Sequence, residues 1–305
     1  SICLLPGGRF NLGVGCPDIG QGNGTAFVQI AAEVLCCMPA DIDLEIGDTR
    51  TTPDSGSTSA SRSTYTGGRA IILAGNKMKA NLLAEVSGIL GVPPDSLELR
   101  PHCVAVKNSD DKVSYADIAE KVSREGRTLE SYVRFDWPTA NLELKQALGL
   151  PHFIYSYVSE MALVEVNVLT GEASVLRAVI SPDAGRVINR QGLEGQAEGG
   201  TVMGLGYALS EEIIQVDGHY MNRDLSTYIV PSALDAPEID TIPVEKLEES
   251  GPFGAKGIGE AVCNPITPAI VNAIRDALGI NITRIPATPE NIYYMVKSKS
   301  DYQYL

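Results

Sequence analysis

Histidine is nearly missing from this chain. His102, His152 and His219 are the only three in 305 residues, and they are scattered without the spacing of a metal-ligand set. Each reads as structural rather than catalytic. The six cysteines (Cys3, Cys16, Cys36, Cys37, Cys103 and Cys263) form no CxxC pair and no cluster-binding run, which argues against zinc or iron–sulfur ligation on this chain. They are expected to be reduced, mostly buried thiols of a cytoplasmic protein. Positive charge is also short. Lys and Arg total 24 against 38 Asp and Glu, a net charge of −14, so no broad surface for nucleic acid or anionic membrane is expected. Solubility is the plainer meaning of that charge. No apolar run reaches the roughly 18–20 residues that cross a bilayer. Ser1-Ile-Cys-Leu-Leu-Pro lacks the charged-then-apolar order of a signal peptide.

What remains is an ordinary folded composition, 44% apolar and 20% charged, which argues against disorder. The length suits one large domain or two ordinary ones. Residues 9–18 read as a strand and turn, followed by a helix from Thr25 with Phe27, Ile30, Ala31, Val34 and Leu35 at helical spacing. Asp43 to Ile46 alternates like a strand. A polar loop is expected from Asp48 to Gly68, then a long helix from Arg69 to Leu90 and a strand from Leu97 to Val106. Ser114-Tyr-Ala-Asp117 has the form of a capping box. Residues 124–151 show little periodicity, so the division is placed there, with subdomains at 1–145 and 146–305. The second opens with a hairpin, Met161–Leu169 and Glu172–Ile180 about a Thr170-Gly171 turn. A glycine-rich helix spans Gly192 to Glu212, and a final helix starts near Asn264-Pro265. Strands and helices mix without a regular βαβ rhythm, which indicates an α+β fold.

Four glycine-bearing stretches could carry chemistry. Gly20-Gln21-Gly22 precedes a helix, where backbone N–H groups attract anions. Taken alone it is better read as a helix-entry turn. Ser57 to Thr64 gathers hydroxyls and Arg62, suited to phosphate or a polar heterocycle, although composition alone clearly favours a solvated linker. Gly192 to Gly206 can pack on a flat cofactor or simply on another helix, with Gln196 near its start. Gly251-Pro-Phe-Gly-Ala-Lys-Gly-Ile-Gly-Glu260 delivers one carboxylate at a helix entry. There Lys256 could merely pin the loop, and the helix dipole alone favours an acidic residue by roughly 0.3–1 kcal/mol. Together they share one character: glycine-lined turns presenting Gln, Ser or Glu, with no basic patch and no metal-ligand set. That suits a large polar cofactor gripped by backbone.

The order GxxDxGQG (Gly15 to Gly22), GSxxASRxT (Gly56 to Thr64), Asp183-Ala-Gly, Gly195-Gln-Ala-Glu-Gly-Gly and GAKGxGE (Gly254 to Glu260) covers nearly the whole chain. It resembles the molybdopterin-binding subunits of the xanthine dehydrogenase family, specifically the C-terminal half of their molybdopterin-binding region, with two α/β subdomains. The resemblance implies a molybdenum hydroxylase whose metal is held by the pterin dithiolene, with no direct protein ligand. It implies Glu260 as a general base with a raised pKa, buried beside the metal. Gln21 and Gln196 would contact the pterin or an oxo group. Gly20, Gly22, Ala60, Ser61, Arg62, Ser63 and Thr64 would bind pterin or pyrophosphate, with Lys256 and Gly257 supporting the loop. The cofactor implied is molybdopterin cytosine dinucleotide with a terminal sulfido or selenido ligand.

Family members usually carry some further residues ahead of this region, so the resemblance also implies a split site. A separate large molybdopterin subunit would complete it, and Fe-S and FAD subunits would pass electrons to NADP. The split arrangement is similar to nicotinate-hydroxylating members, which makes nicotinate, giving 6-hydroxynicotinate, the expected small heterocyclic substrate. A purine or aldehyde is the alternative within the family, and a non-catalytic scaffold the alternative outside enzymes.

Overall fold

A computed structural model of the chain describes residues 1–136 and 154–302. The chain divides into two units that interleave in sequence. The first takes Ser1–Tyr155, Gly185–Asn189 and Leu247–Gly257, and the second takes Ser156–Ala184, Arg190–Lys246 and Ile258–Leu305. The boundary expected at 145/146 and His152 lie outside the described residues.

In the first unit, strands β1 (Ile2–Leu4), β2 (Phe10–Val14), β3 (Ile42–Ile46) and β7 (Glu130–Ser131) form a sheet of order β3-β2-β1-β7. Only β2 and β3 run parallel; they are joined through helix α1 (Asn23–Leu35). Phe27, Ile30, Ala31 and Leu35 of α1 are buried in the unit's core with Ile2, Phe10 and Leu12. Strands β4 (Leu97–Arg100), β5 (Cys103–Val106) and β6 (Lys112–Ser114) make an antiparallel meander. The single strand expected over Leu97–Val106 is therefore a hairpin, bent where His102 takes φ +60°. Helix α3 (Tyr115–Arg124) starts at the expected capping box: Ser114 Oγ accepts from Asp117 N at 3.1 Å, and Ser114 N donates to Asp117 Oδ2 at 3.4 Å.

Helix α2 runs from Ser63 to Leu90, so the polar loop expected up to Gly68 ends sooner and the helix does not wait for Arg69. Packing decides this. Gly67 and Gly68 are weak helix formers, yet a Cβ on Gly67 would fall 2.8 Å from Phe27, and one on Gly68 2.7 Å from Pro252. Only glycine lets α2 lie this close to its neighbours, and burial of that face outweighs propensity.

In the second unit, β8 (Val158–Val166), β9 (Ala173–Pro182) and β12 (Glu238–Thr241) form a sheet of order β12-β9-β8, with β9 and β12 parallel. The hairpin loop is wider than the expected Thr170-Gly171 turn. Asn167 N donates to Glu172 O at 2.8 Å, and Asn167 Oδ1 accepts from Leu169 N at 3.0 Å. Strands β10 (Gln215–Val216) and β11 (His219–Tyr220) make a small ribbon. Helices α4 (Arg190–Leu209) and α5 (Ile266–Leu278) pack on one another, and Ile266, Ile270 and Ile274 fill the core with Ala178 and Leu205. The helix near Asn264-Pro265 is not the last: α6 (Pro289–Tyr302) follows. Its Pro289 sits where a proline costs no hydrogen bond, Thr288 Oγ1 accepts from Asn291 N, and Ile292 is buried. Val296, one turn on from Ile292, packs against the same core, but the lysines and serines that follow carry no further apolar period.

Candidate functional site

The GQG turn closes on itself through Asp18. Asp18 Oδ1 accepts from Gly20 N (2.9 Å) and Gly22 N (3.2 Å), and Oδ2 accepts from Gly24 N (3.5 Å). Partial burial works to raise the Asp18 pKa, but these amides and that of Asn23 prevail and hold the carboxyl below its ordinary range. The amides expected to attract an external anion are therefore already neutralised from within the chain. Gln21 is folded onto the same turn: its Oε1 accepts from Ile19 N (2.7 Å) and its Nε2 donates to Pro17 O (3.1 Å). A Cβ on Gly20 or Gly22 would meet nothing within 4 Å, so the outer side of the turn is open. Next to it Asn23, 7% exposed, leaves its Nδ2 donor without a partner among the described residues. No sequence periodicity marks Asn23; only its place after the glycines could have.

The serine-rich segment meets the GAKG stretch within the same unit. Ala60 and Ser61 both take positive φ, 55° and 52°, immediately ahead of α2. A Cβ on Gly257 would lie 1.6 Å from Ser61 O, so these two backbones touch. Arg62 turns inward, donating through Nε to Ser57 O at 3.1 Å and through Nη2 to Ser57 O and Ser55 O. Ser63 and Lys256 are buried. Thr64, in the first turn of α2, lies next to them in sequence. Gly254 supports the loop differently: its carbonyl accepts from Arg186 N (3.1 Å) and Glu248 N (3.0 Å), and Gly185 of the Asp183-Ala-Gly turn backs onto it. Much of this loop's glycine content thus serves contacts within the chain.

In the second unit, Gln196 Nε2 donates to Gly259 O at 2.8 Å and fixes the residue before Glu260. Glu260 starts a 3-10 turn, Ala261–Cys263, whose Cys263 Sγ donates back to Glu260 O at 3.0 Å. The turn rests on glycine faces of α4: a Cβ at Gly200 would lie 2.6 Å from Val262 Cγ2, and one at Gly204 2.8 Å from Cys263 O. Glu260 itself is exposed, contrary to the buried carboxylate expected, because the α4 seam orders its backbone and leaves the side chain outside. A different carboxylate is drawn inward. Glu160 of β8 is half-buried, accepts from Thr201 Oγ1 at 3.1 Å, and is pushed up to about 7, by burial first and against the effect of the Thr201 bond. Its signal lay in strand parity, since it shares the inward phase of Ala162.

Among the described residues no group of three or more His, Cys, Asp and Glu side chains converges, and all six cysteines are free thiols. No helix there is long and apolar enough to cross a membrane. The donors on these turns are the orphaned Asn23 Nδ2, the hydroxyls of residues 57–64 and the Arg62 guanidinium. Such a set fits a nitrogen- and oxygen-rich ring system rather than a bare metal ion.

The molybdopterin cofactor-binding domain family matches residues 1–237, and the chain belongs to it, as a molybdopterin-binding subunit of the xanthine dehydrogenase family. It is 34% identical over 301 residues to a probable xanthine dehydrogenase subunit of Bacillus subtilis, covering 98% of this chain and 39% of that protein. It is also 34% identical over 290 residues to the gamma subunit of the 6-hydroxypseudooxynicotine dehydrogenase complex of Paenarthrobacter nicotinovorans, covering 94% and 36%. Quinoline 2-oxidoreductase from Pseudomonas putida 86 shares the fold, at TM-score 0.86 and 24% identity over 97% of this chain and 38% of that one. The chain spans at most 39% of the length of these relatives.

Proposed function

We propose that this chain supplies the general base, Glu260, and part of the cofactor grip of a molybdenum hydroxylase acting on an electron-poor nitrogen heterocycle, with nicotinate to 6-hydroxynicotinate as the leading reaction. The observation that carries this reading is the hydrogen bond from Gln196 to Gly259, which orders the backbone next to an exposed carboxylate. A scaffold has no use for that arrangement. Gly20 and Gly22, open on their outer side, and the orphaned Asn23 Nδ2 would meet the pterin, with Gln21 holding the turn that presents them. Ala60, Ser61, Arg62, Ser63 and Thr64 would hold its pyrophosphate, with Lys256 and Gly257 shaping the adjoining loop. When bound, the molybdenum cofactor, in its cytosine dinucleotide form with a sulfido or selenido ligand, supplies the two-electron oxidation. Glu260 takes up on a carboxylate oxygen the proton of the water whose oxygen enters the ring. Glu260 must be ionised to do so.

The relatives' names support the heterocycle, since one belongs to a 6-hydroxypseudooxynicotine dehydrogenase complex. Another names xanthine, which keeps a purine as the second reading, and an aldehyde remains with it. Electrons would leave through Fe-S and FAD subunits to NADP in a cytoplasmic complex. A further molybdopterin portion, on the same polypeptide or a large partner subunit, would orient the substrate. The second unit leaves apolar side chains outside that a partner could cover: Leu169, Leu225 and Leu234 are 82%, 73% and 96% exposed.

Glu260→Gln in the purified complex tests the base. Molybdenum content and CMP released by acid hydrolysis should match the parent, while turnover falls by about 10²–10⁴-fold. Turnover within two-fold of the parent, at equal metal content, removes Glu260 from the mechanism; absence of both molybdenum and CMP from the parent complex removes the enzyme reading. Initial rates on nicotinate, xanthine and an aromatic aldehyde separate the substrates.

A further inference from the structure

Glu160 is a carboxylic acid in a place that does not suit a charge. It lies on the inward phase of β8. Its Oε1 accepts from the Thr201 hydroxyl, and Thr201 is fully buried on α4. Its Oε2 is shut off from solvent with no hydrogen-bond partner among the described residues. No cation contributes to its surroundings there. β9 places Ile180 directly opposite, and α5, packed along β8, buries only Ile266, Ile270 and Ile274. Among the described residues, the titratable group that reaches it is the Cys263 thiol, pushed up by burial first, against a lowering by its own backbone amide, and then by the Glu260 and Glu160 carboxylates. An ionised Glu160 would hold a charge on one weak donor and one bare oxygen, which is costly. A protonated Glu160 holds no charge and keeps the Thr201 bond.

The consequence passes along α4. Gln196, Gly200 and Gly204 recur every fourth residue and form the seam that carries residues 259–266. Thr201 sits beside Gly200 on the same helix, and Thr267 Oγ1 donates to Gly204 O at 2.6 Å. One side of α4 therefore binds the turn of Glu260, and Thr201 ties the helix to β8.

We propose that Glu160 is a positioning residue: its protonated carboxyl clamps α4 to β8 and so holds the turn that presents Glu260. The link to turnover rests on Glu260 being the base; the clamp itself does not. Ionisation of Glu160 leaves a poorly solvated charge at the clamp and loosens the turn.

The test is amide hydrogen exchange in the purified complex, followed in peptides covering 190–209 and 258–265 from pH 6 to 8.5 and corrected for the intrinsic pH dependence of exchange. In the parent, protection of both peptides should fall by about ten-fold across that range. Glu160→Gln, which keeps shape and an acceptor for Thr201, should give a flat profile at the parent's pH 6 value. Thr201→Val, which removes the donor with little change of volume, should lower protection at every pH. Superimposable parent and Glu160→Gln profiles, or full protection in Thr201→Val, overturn the clamp. The parent-to-Glu160→Gln turnover ratio should also decline above pH 7, which a purely structural role would not produce. If Glu260→Gln retains turnover while the exchange results hold, the base assignment fails and the clamp stands. If Glu260→Gln abolishes turnover while the exchange profiles coincide, the clamp alone fails.

Discussion

Asp18 and Glu160 show how little of a carboxylate's behaviour is set by its own chemistry. Asp18 gathers backbone amides, which hold its carboxyl below the ordinary range; Glu160 gathers one hydroxyl and is pushed up to about 7 by burial. The signs of their pH effects are opposite. For Glu160 the folded-state value, about 7, stands above the ordinary 4.5, so the folded protein binds a proton that the unfolded chain releases in between. Stability from this group is complete below about pH 4.5 and is lost as pH rises through about 7. Glu160→Gln should therefore melt above the parent at pH 8, with the gap closing by pH 5, as differential scanning fluorimetry across that range would show. A gap that stays constant with pH would mean that the proton is not the source. For Asp18 the folded-state value is lowered, so its contribution is present at neutral pH and is lost in acid. Asp18→Asn should lower melting at pH 7 and lose that effect as pH falls through the parent's titration. Strand parity shows in the sequence that Glu160 faces inward, but the partners that set either titration are not legible there. Asp18 stands in a motif whose glycines suggest an external anion, and Glu160 is one acidic residue in an alternating strand.

At the scale of elements, periodic helices and the capping box could be read directly, because burial of one face writes a stripe into the sequence. Misreadings fall where glycine substitutes for a stripe. The first turns of α2 look like loop because Ser63, Thr64, Gly67 and Gly68 carry no apolar period. Their helix is fixed by Phe27 and Pro252 pressing on bare backbone. The same device sets both candidate clusters: Gly257 against Ser61, and Gly200 and Gly204 against Val262, Ile266 and Cys263. Those contacts join residues far apart in sequence, so the motifs could be listed from sequence while their meeting could not. A Cβ at Gly204 would lie 2.1 Å from Ile266 Cγ2 and 2.8 Å from the Cys263 carbonyl. Gly204→Ala should thus cost about 1–3 kcal/mol by overpacking and push the Glu260 turn outward. Equilibrium urea unfolding measures the first effect, and faster exchange of peptide 258–265 the second. Gly88→Ala on α2 is the control. Its Cβ would meet nothing within 4 Å, so it should stabilise the helix by roughly 0.5–1 kcal/mol.

At the scale of the whole molecule, the two units differ in what they leave outside. The first buries its large side chains around one core, from Ile2 to Leu129. The second buries fewer and exposes many, including Met161 and Leu163 on β8 and Ile213, Leu225 and Leu234 beyond α4. Composition hid this, because an apolar fraction of 44% says nothing about which side chains find a core. Apolar side chains that form a contiguous exposed patch mark interaction surfaces, and Leu234 tests whether these do. Leu234, 96% exposed, contributes almost nothing to the fold of the chain, so Leu234→Asp should shift stability by no more than about 0.5 kcal/mol. If a partner covers that surface, the same change places a carboxylate against apolar groups and should weaken assembly strongly. Co-purification through a tag on this chain, followed by native mass spectrometry, reads the assembly directly. A complex of unchanged composition from Leu234→Asp, with unchanged melting, would remove this part of the surface from any interface. Loss of partner chains with the melting of the isolated subunit unchanged would place it inside one.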